Sequence, residues 1–187
     1  MLWSSKNQVQ NCTPGADVPR LAVSSTPEEW ADFGTSLFQH KRYGQAMHCF
    51  ERACMDREVA VARAYSLREQ ARTMPVRNHH EDTRAKAAFL VAADAFLDCA
   101  LAATKEKRAY FRIAGDCFVS HGDDMKAARA YLDGKAYTLA AERYRKAGLF
   151  DDAVRIIKAH GQEMPLKVVE SIIGVARIVY FRDFELE

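Results

Sequence analysis

Apolar residues recur at helical spacing through most of the chain, and the clearest example lies between positions 26 and 54. A first stripe comprises Trp30, Phe33, Leu37 and Phe38, and a second comprises Tyr43, Ala46, Met47, Phe50, Ala53 and Cys54. Apolar residues three and four positions apart predict amphipathic helices. We therefore expect helices at about 27–39 and 43–56, joined by a short turn around Lys41 and Arg42.

The start of the first helix is clearly marked. Thr26 is a suitable N-cap, Pro27 suits the first helical position, and Glu29 completes a capping box. The pattern then predicts a third helix over 58–73, a polar linker over 75–81 and a longer fourth helix over 83–103.

The order of the 30–53 pattern returns twice in the second half of the chain. One copy consists of Phe111-x2-Ala114-Gly115-x2-Phe118, Gly122 and Ala127-x3-Tyr131, and the other of Tyr137-x2-Ala140-Ala141-x2-Tyr144, Gly148 and Ala153-x3-Ile157. These copies predict four more helices, with tight turns at Gly122 and Gly148. Gly134 and Lys135 are interpreted as a helix stop and restart.

The C-terminal stretch from Pro165 to Phe181 is apolar and β-branched. Its residue types suit a strand, but Leu166, Val169, Ile172 and Ala176 also form a helical stripe. An all-helical chain favours a ninth helix. A helix this apolar is a poor terminal cap, so we expect either that the natural chain continues or that the helix packs under the preceding pair, and we prefer the first.

Trp30-x2-Phe33-Gly34-x2-Leu37, followed by Tyr43 and Ala46-x3-Phe50, resembles the signature of the tetratricopeptide (TPR) family. The resemblance implies an all-α fold, a right-handed α-solenoid of antiparallel helix pairs, with about four pairs and a C-terminal helix. It divides the chain into a loosely ordered leader (1–25, with Trp3 or Leu21 as contacts), a repeat domain (26–163) and the C-terminal helix (164–187).

A second resemblance involves the Trp30 unit and the helix containing residues 60–65. Together they look like part of the repeat region of large TPR-and-ankyrin, superfamily-1 helicase-like proteins. This resemblance implies that the chain is an accessory module of a larger protein and carries none of the ATPase motifs.

Composition is that of an ordinary globular domain. The 187 residues are 49% hydrophobic with a net charge of +2, which by itself favours neither nucleic acid nor an acidic partner. Five cysteines without a C-x-x-C pair predict reduced thiols in an intracellular protein, either cytoplasmic or nuclear. The longest apolar run, 87–103, contains Asp94 and Asp98 and is too short and polar to span a membrane.

Residues with catalytic or metal-binding chemistry do not form a recognisable site. No nucleotide-binding, hydrolase or metalloprotease motif is present. His79 and His80 lack partners at ligand spacing, and Cys49 and Cys54 are interpreted as buried structural thiols. We therefore predict a non-enzyme without a metal or cofactor.

The TPR resemblance implies that non-core positions on the first helix of each pair face a concave groove and contact a partner. The predicted partner-binding residues are Thr35, Phe38, Gln39, Arg112, Asp116, Lys135, Glu142, Arg145 and Lys146. Family members that clamp a peptide carboxylate have Lys and Asn where this chain has Ala31 and Thr35, so that clamp is not expected. Arg112, Arg145 and Lys146 are the expected anchors for an acidic segment.

The predicted function is a protein-interaction scaffold that binds a partner peptide or helix in this groove. The alternative is a nucleic-acid-binding α-solenoid, suggested by basic clusters around Lys107 and Arg143. Oligomerisation is predicted to use apolar residues of the last helix: Ile172, Ile173, Val179 and Phe181.

Overall fold

A computed structural model describes residues 25–185, with side chains from 25 to 182. Residues 1–24, which hold most of the predicted leader with Trp3, Cys12 and Leu21, lie outside the described residues. The described part contains α-helices and one short 3-10 helix and no strand, so the all-α prediction is confirmed. The α-helices are α1 (Pro27–Gln39), α2 (Tyr43–Arg52), α3 (Asp56–Thr73), α4 (His79–Ala102), α5 (Lys107–His121), α6 (Asp124–Asp133), α7 (Tyr137–Lys146), α8 (Phe150–His160) and α9 (Leu166–Glu185), and the 3-10 helix is Gly161–Glu163.

Side-chain caps mark where α1, α4 and α6 begin, and at α6 Asp123 Oδ1 accepts the Lys126 N–H at 2.8 Å. The predicted capping box at α1 is present: the Glu29 N–H donates to Thr26 Oγ1, and the Thr26 N–H donates to Glu29 Oε2 at 2.9 Å. The prediction of a linker to residue 81 is wrong, because Asn78 Oδ1 accepts the Glu81 N–H at 2.9 Å and caps a helix that begins at His79.

Contacts divide the chain into two compact units, the first ending at Ser66 and the second beginning at Leu67. The boundary falls inside α3 and inside the range predicted as one repeat domain. The first unit has its own apolar core, formed by Leu37, Ala46, Cys49, Phe50 and Ala62. Trp30 and Phe33 pack against this cluster, as the two predicted stripes require.

In the second unit, each helix from α4 to α8 packs against the helix that follows it, and α9 also contacts α7. The interior combines small residues with aromatic rings. Its fully or almost fully buried members include Ala92, Ala93, Phe96, Ala114, Phe118, Ala127, Tyr131, Ala140 and Ala153. Alanines at these positions let the helices approach closely, while the rings fill the remaining space.

A glycine in one helix faces an aromatic ring in the next helix in both units. A Cβ added at Gly34 would lie 2.8 Å from the Phe50 ring, and one added at Gly115 would lie 2.6 Å from the Tyr131 ring. Both distances are shorter than real Cβ contacts. The two glycines are therefore required by packing, and the sequence pattern that repeats Gly34 at Gly115 reflects the same helix contact.

Five turns in the described chain end the preceding helix in the same way. The left-handed residues, with positive φ, are Lys41, Cys54, Gly122, Lys135 and Gly148. After each one, the next N–H donates to a carbonyl five residues earlier, at 2.8–3.0 Å, and the acceptors are Leu37, Phe50, Phe118, Tyr131 and Tyr144. This is the Schellman motif. Because all five acceptor residues are buried, each turn is connected directly to the core.

The C-terminal stretch is a helix rather than a strand, as favoured above. Of the residues predicted to mediate oligomerisation, Ile172 is 1% exposed and is therefore covered by its own chain, whereas Phe181 is 65% exposed. Ile173 and Val179 are half-buried. Among the described helices, none combines the length and apolarity needed to cross a bilayer.

We predict that Gly122→Ala destabilises the protein by about 1 kcal/mol through backbone strain, since Gly122 has φ +99° and an added Cβ would meet no atom within 4 Å. The matched control is Gly174→Ala, which also has open space but lies within α9. It should stabilise the protein by up to about 1 kcal/mol. Urea unfolding of both variants measures the difference, and equal stabilities would contradict this account of the turn.

Candidate functional site

The three predicted partner-binding residues of the first unit lie on α1 in different surroundings. Thr35 and Gln39 are exposed, although the Thr35 hydroxyl donates to a backbone carbonyl of its own helix at 2.9 Å. Phe38 packs edge-on against Tyr43 and Tyr65, with ring centroids 5.1 and 5.2 Å apart. Its ring therefore contributes to helix packing, as its place in the first apolar stripe indicated, and its role in contacting a partner stays a prediction.

The other predicted residues belong to the second unit, and Lys135 lies elsewhere than expected. Arg112 and Asp116 are on α5, and Glu142, Arg145 and Lys146 are on α7. Lys135 was expected on the first helix of a pair but is the left-handed residue of the turn between α6 and α7, with φ 55°. The error arose because a lysine gives no sequence signal for this conformation, which usually selects glycine.

Two of the predicted residues, Arg112 and Lys135, meet in an open groove of about 500 Å³. The start of α5, the turn between α6 and α7, and the start of α7 form this groove, and Glu163 of the 3-10 helix lies at its side. Its charged lining residues are Arg108, Arg112, Lys135 and Glu163. We call this feature the α5–α7 groove.

Gly134 allows the turn to lie against α5 at this point. A Cβ at Gly134 would be 3.2 Å from the Arg108 carbonyl oxygen and 3.2 Å from Arg112 Cγ. Both contacts are tighter than most real Cβ contacts, so a larger residue would push the turn away from α5. The glycine thus brings Lys135 to the same groove as the two arginines.

The three cations of the α5–α7 groove have no acidic partner. Among the described residues, none of Arg108, Arg112 and Lys135 forms an ion pair. The situation on α7 is different, because Asp124 accepts both Arg143 Nη1 and Lys146 Nζ at 3.2 Å. The groove therefore keeps a local surplus of positive charge.

Asp116 is used to connect α5 to α6. Its Oδ1 accepts the Tyr131 hydroxyl at 2.7 Å. Burial, followed by this hydrogen bond and the Asp116 charge, raises the pKa of Tyr131 above its ordinary value of 10.0, while Arg143 and Arg112 oppose the shift. The Asp116 carboxylate thus already has a hydrogen-bond partner within the protein, which the sequence pattern did not indicate.

Glu142 and Arg145, the remaining predicted residues on α7, are half-buried and do not line the groove. The Nε atom of Arg145 is buried without a hydrogen-bond partner within the described structure. Arg145 therefore differs from the solvent-facing anchor that the sequence predicted.

A pair of stacked rings supports one side of the groove. The Tyr137 and His160 rings lie 3.6 Å apart and within 5° of parallel, and His160 Nδ1 lies 3.1 Å from Glu163 Oε1. These contacts connect the start of α7 to the end of α8 and to the 3-10 helix. Tyr137 was expected only as a core position, since no local pattern reveals a ring stack between distant residues.

The function has to be argued from this geometry. No protein-family model, curated protein or solved structure matches this chain. Within the described residues, no three His, Cys, Asp or Glu side chains are grouped so as to hold a metal. The α5–α7 groove can bind an anion with two guanidinium groups and one ammonium group.

The cysteines differ more in exposure than the sequence suggested. Cys49 is buried as expected, but Cys54 is exposed in the turn after α2, so its interpretation as a buried thiol was wrong. Burial raises the pKa of the Cys49 thiol and raises that of Cys117 to about 11. Both thiols are therefore protonated, and weak nucleophiles, at neutral pH.

We predict a pH-dependent effect of Tyr131→Phe. At pH 8 the variant should be less stable by about 1 kcal/mol, since it lacks the hydrogen bond to Asp116. The folded state raises the pKa of Tyr131 above the ordinary value of 10.0, and this contribution to stability is fully present below pH 10. Above pH 10 the phenol ionises in the unfolded chain but stays protonated in the folded protein, so the free energy of unfolding of the wild type falls. The stability gap should shrink by about 1 kcal/mol per pH unit above pH 10.

Urea unfolding of wild type and Tyr131→Phe at pH 8, 10 and 11 measures this gap. A gap that stays constant or widens above pH 10 would contradict the proposed state of the buried hydroxyl.

Proposed function

We propose that this chain is a TPR-like interaction module whose α5–α7 groove binds an acidic segment of a partner protein. The observation that carries the proposal is that Arg108, Arg112 and Lys135 line one groove and form no ion pair with any described acidic side chain. The fixed positive charges of this surface support a role in binding an anion.

The repeat arrangement proposed here has α5 and α7 as first helices of successive antiparallel pairs in a right-handed solenoid, with α9 as the C-terminal helix that follows the last pair. Two observations support it within the second unit. The contact of α9 with α7 as well as α8 is typical of stacked helix pairs, and α5 and α7 both supply lining residues to one groove. The relationship to helicase-like proteins stays a prediction and adds nothing to the binding site.

Carboxylates are the preferred partners because of the groove's donors. Each guanidinium offers parallel N–H groups that match the two oxygens of a carboxylate, and Lys135 adds an ammonium group. Lys146, although predicted as an anchor, already pairs with Asp124. The binding surface is therefore centred closer to the start of α5 than the sequence predicted.

The nucleic-acid alternative depends on two basic clusters, and ion pairs weaken one of them. Arg143 and Lys146 pair with Asp124, and Arg155 pairs with Asp152 at 3.0 Å. A nucleic-acid surface needs a continuous row of available cations. The groove offers three cations with Glu163 beside them, which suits a short acidic segment better.

A fluorescence-anisotropy titration tests the proposal. The probe is a labelled 12-residue peptide of alternating glutamate and alanine, with its lysine counterpart as the control peptide. We predict that Arg112→Glu weakens binding of the acidic peptide at least roughly tenfold, because it reverses one of the three groove charges. The matched control Arg129→Glu makes the same charge change at an exposed position on α6 outside the groove and should change affinity by less than about twofold.

If Arg112→Glu and Arg129→Glu lowered the affinity for the acidic peptide equally, the attraction would be non-specific. That result would contradict a binding site in the groove. The same titration with a labelled single-stranded oligonucleotide tests the alternative. Tighter, strongly salt-dependent binding of the oligonucleotide than of the peptide would favour nucleic acid.

A further inference from the structure

We propose that the α5–α7 groove is selective for one phosphorylated serine or threonine side chain on the partner segment. This inference rests on the proposed function and specifies its ligand. It begins from three cationic residues that line one groove of about 500 Å³, in contrast to a charged face where cations are spread along a helix.

The positions of the three donors are set by backbone geometry. Arg108 and Arg112 are one helical turn apart on α5, so their side chains leave the same face of the helix. Lys135 lies in a turn that two backbone hydrogen bonds fix. The Ala136 N–H donates to the Tyr131 carbonyl at 2.8 Å, and the Lys135 N–H donates to the Leu132 carbonyl at 2.9 Å. Gly134 holds this turn against α5, as described above.

The charge in the groove matches a phosphate better than a carboxylate. A phosphomonoester carries nearly two negative charges at pH 7 and has three strong acceptor oxygens, whereas a carboxylate has one charge and two oxygens. Arg108, Arg112 and Lys135 are three cations that form no ion pair within the part of the chain that the structure describes. Together with Glu163, these three cations give the groove lining a net charge of about +2, which one phosphate dianion balances and a single carboxylate only halves.

Glu163 favours a protein segment over a nucleic-acid strand. Its carboxylate lies at the side of the groove near His160, where it would repel the next phosphate of a continuous polyanion. A peptide that carries one phosphate can instead present a backbone N–H or a basic side chain to Glu163. The chemistry of the groove thus fits an isolated phosphate with donors beside it.

The test uses three labelled 12-residue peptides that differ at one position. The central residue is phosphoserine, glutamate or serine, and the other positions are glycine, alanine and one lysine. We expect the phosphoserine peptide to bind at least roughly tenfold more tightly than the glutamate peptide, and the serine peptide to bind most weakly. Inorganic phosphate at millimolar concentration should compete only partly, because it lacks the peptide contacts.

Lys135→Gly is the most informative variant. Glycine tolerates the left-handed backbone at this position, so the charge is removed without a folding penalty. The matched control is Lys41→Gly, which removes a lysine from the equivalent left-handed position, with φ 60°, in the turn after α1. We expect Lys135→Gly to weaken phosphopeptide binding at least fivefold to tenfold and Lys41→Gly to leave it unchanged.

Each other outcome overturns part of the argument. Equal affinity for the phosphoserine and glutamate peptides would overturn phosphate selectivity and leave the acidic-segment proposal intact. If inorganic phosphate bound as tightly as the phosphopeptide and displaced it completely, the groove would be a site for small anions. Selective binding of an oligonucleotide would overturn both proposals. Equal effects of Lys135→Gly and Lys41→Gly would place the binding site outside the groove.

Discussion

The hydrogen bond that closes each left-handed turn is the constraint on which the rest of the structure depends. The accepting carbonyl belongs to a buried residue such as Leu37, Phe118 or Tyr131, and the donor is the first N–H after the left-handed residue. A change in the turn therefore moves a core side chain, and a change in the core moves the turn. This coupling reproduces the same helix-to-helix step in both units, together with the close contacts of Gly34 and Gly115 with aromatic rings.

The α5–α7 groove follows from one of these turns. The turn between α6 and α7 ends its helix as the other four do, but Gly134 also lets it lie against α5. Lys135 is held in a conformation that costs a lysine about 1 kcal/mol or more. This strain alone does not indicate function, because Lys41 and Cys54 have the same conformation. The difference is that Lys135 lies beside two arginines that also lack acidic partners.

Local sequence patterns predicted the helices well because helical periodicity and caps depend on neighbouring residues. The capping box at Thr26, the turns at Gly122 and Gly148 and the helical C-terminal stretch all follow from such signals. The errors have a different origin. Lys135 and Cys54 were misplaced because a left-handed residue other than glycine gives no local signal. The Tyr137–His160 stack joins distant residues and depends on how the helices are packed.

Net charge was a poor guide to this surface for a related reason. A value of +2 for the whole chain says nothing about which charges find partners after folding. Asp124 pairs with two cations of α7, whereas Arg108, Arg112 and Lys135 form no ion pair with the described acidic side chains. Ion pairing in the folded chain thus concentrates positive charge at one groove. A nearly neutral protein can therefore have a locally positive groove, because the local charge depends on which side chains remain unpaired and not on the sum over the chain.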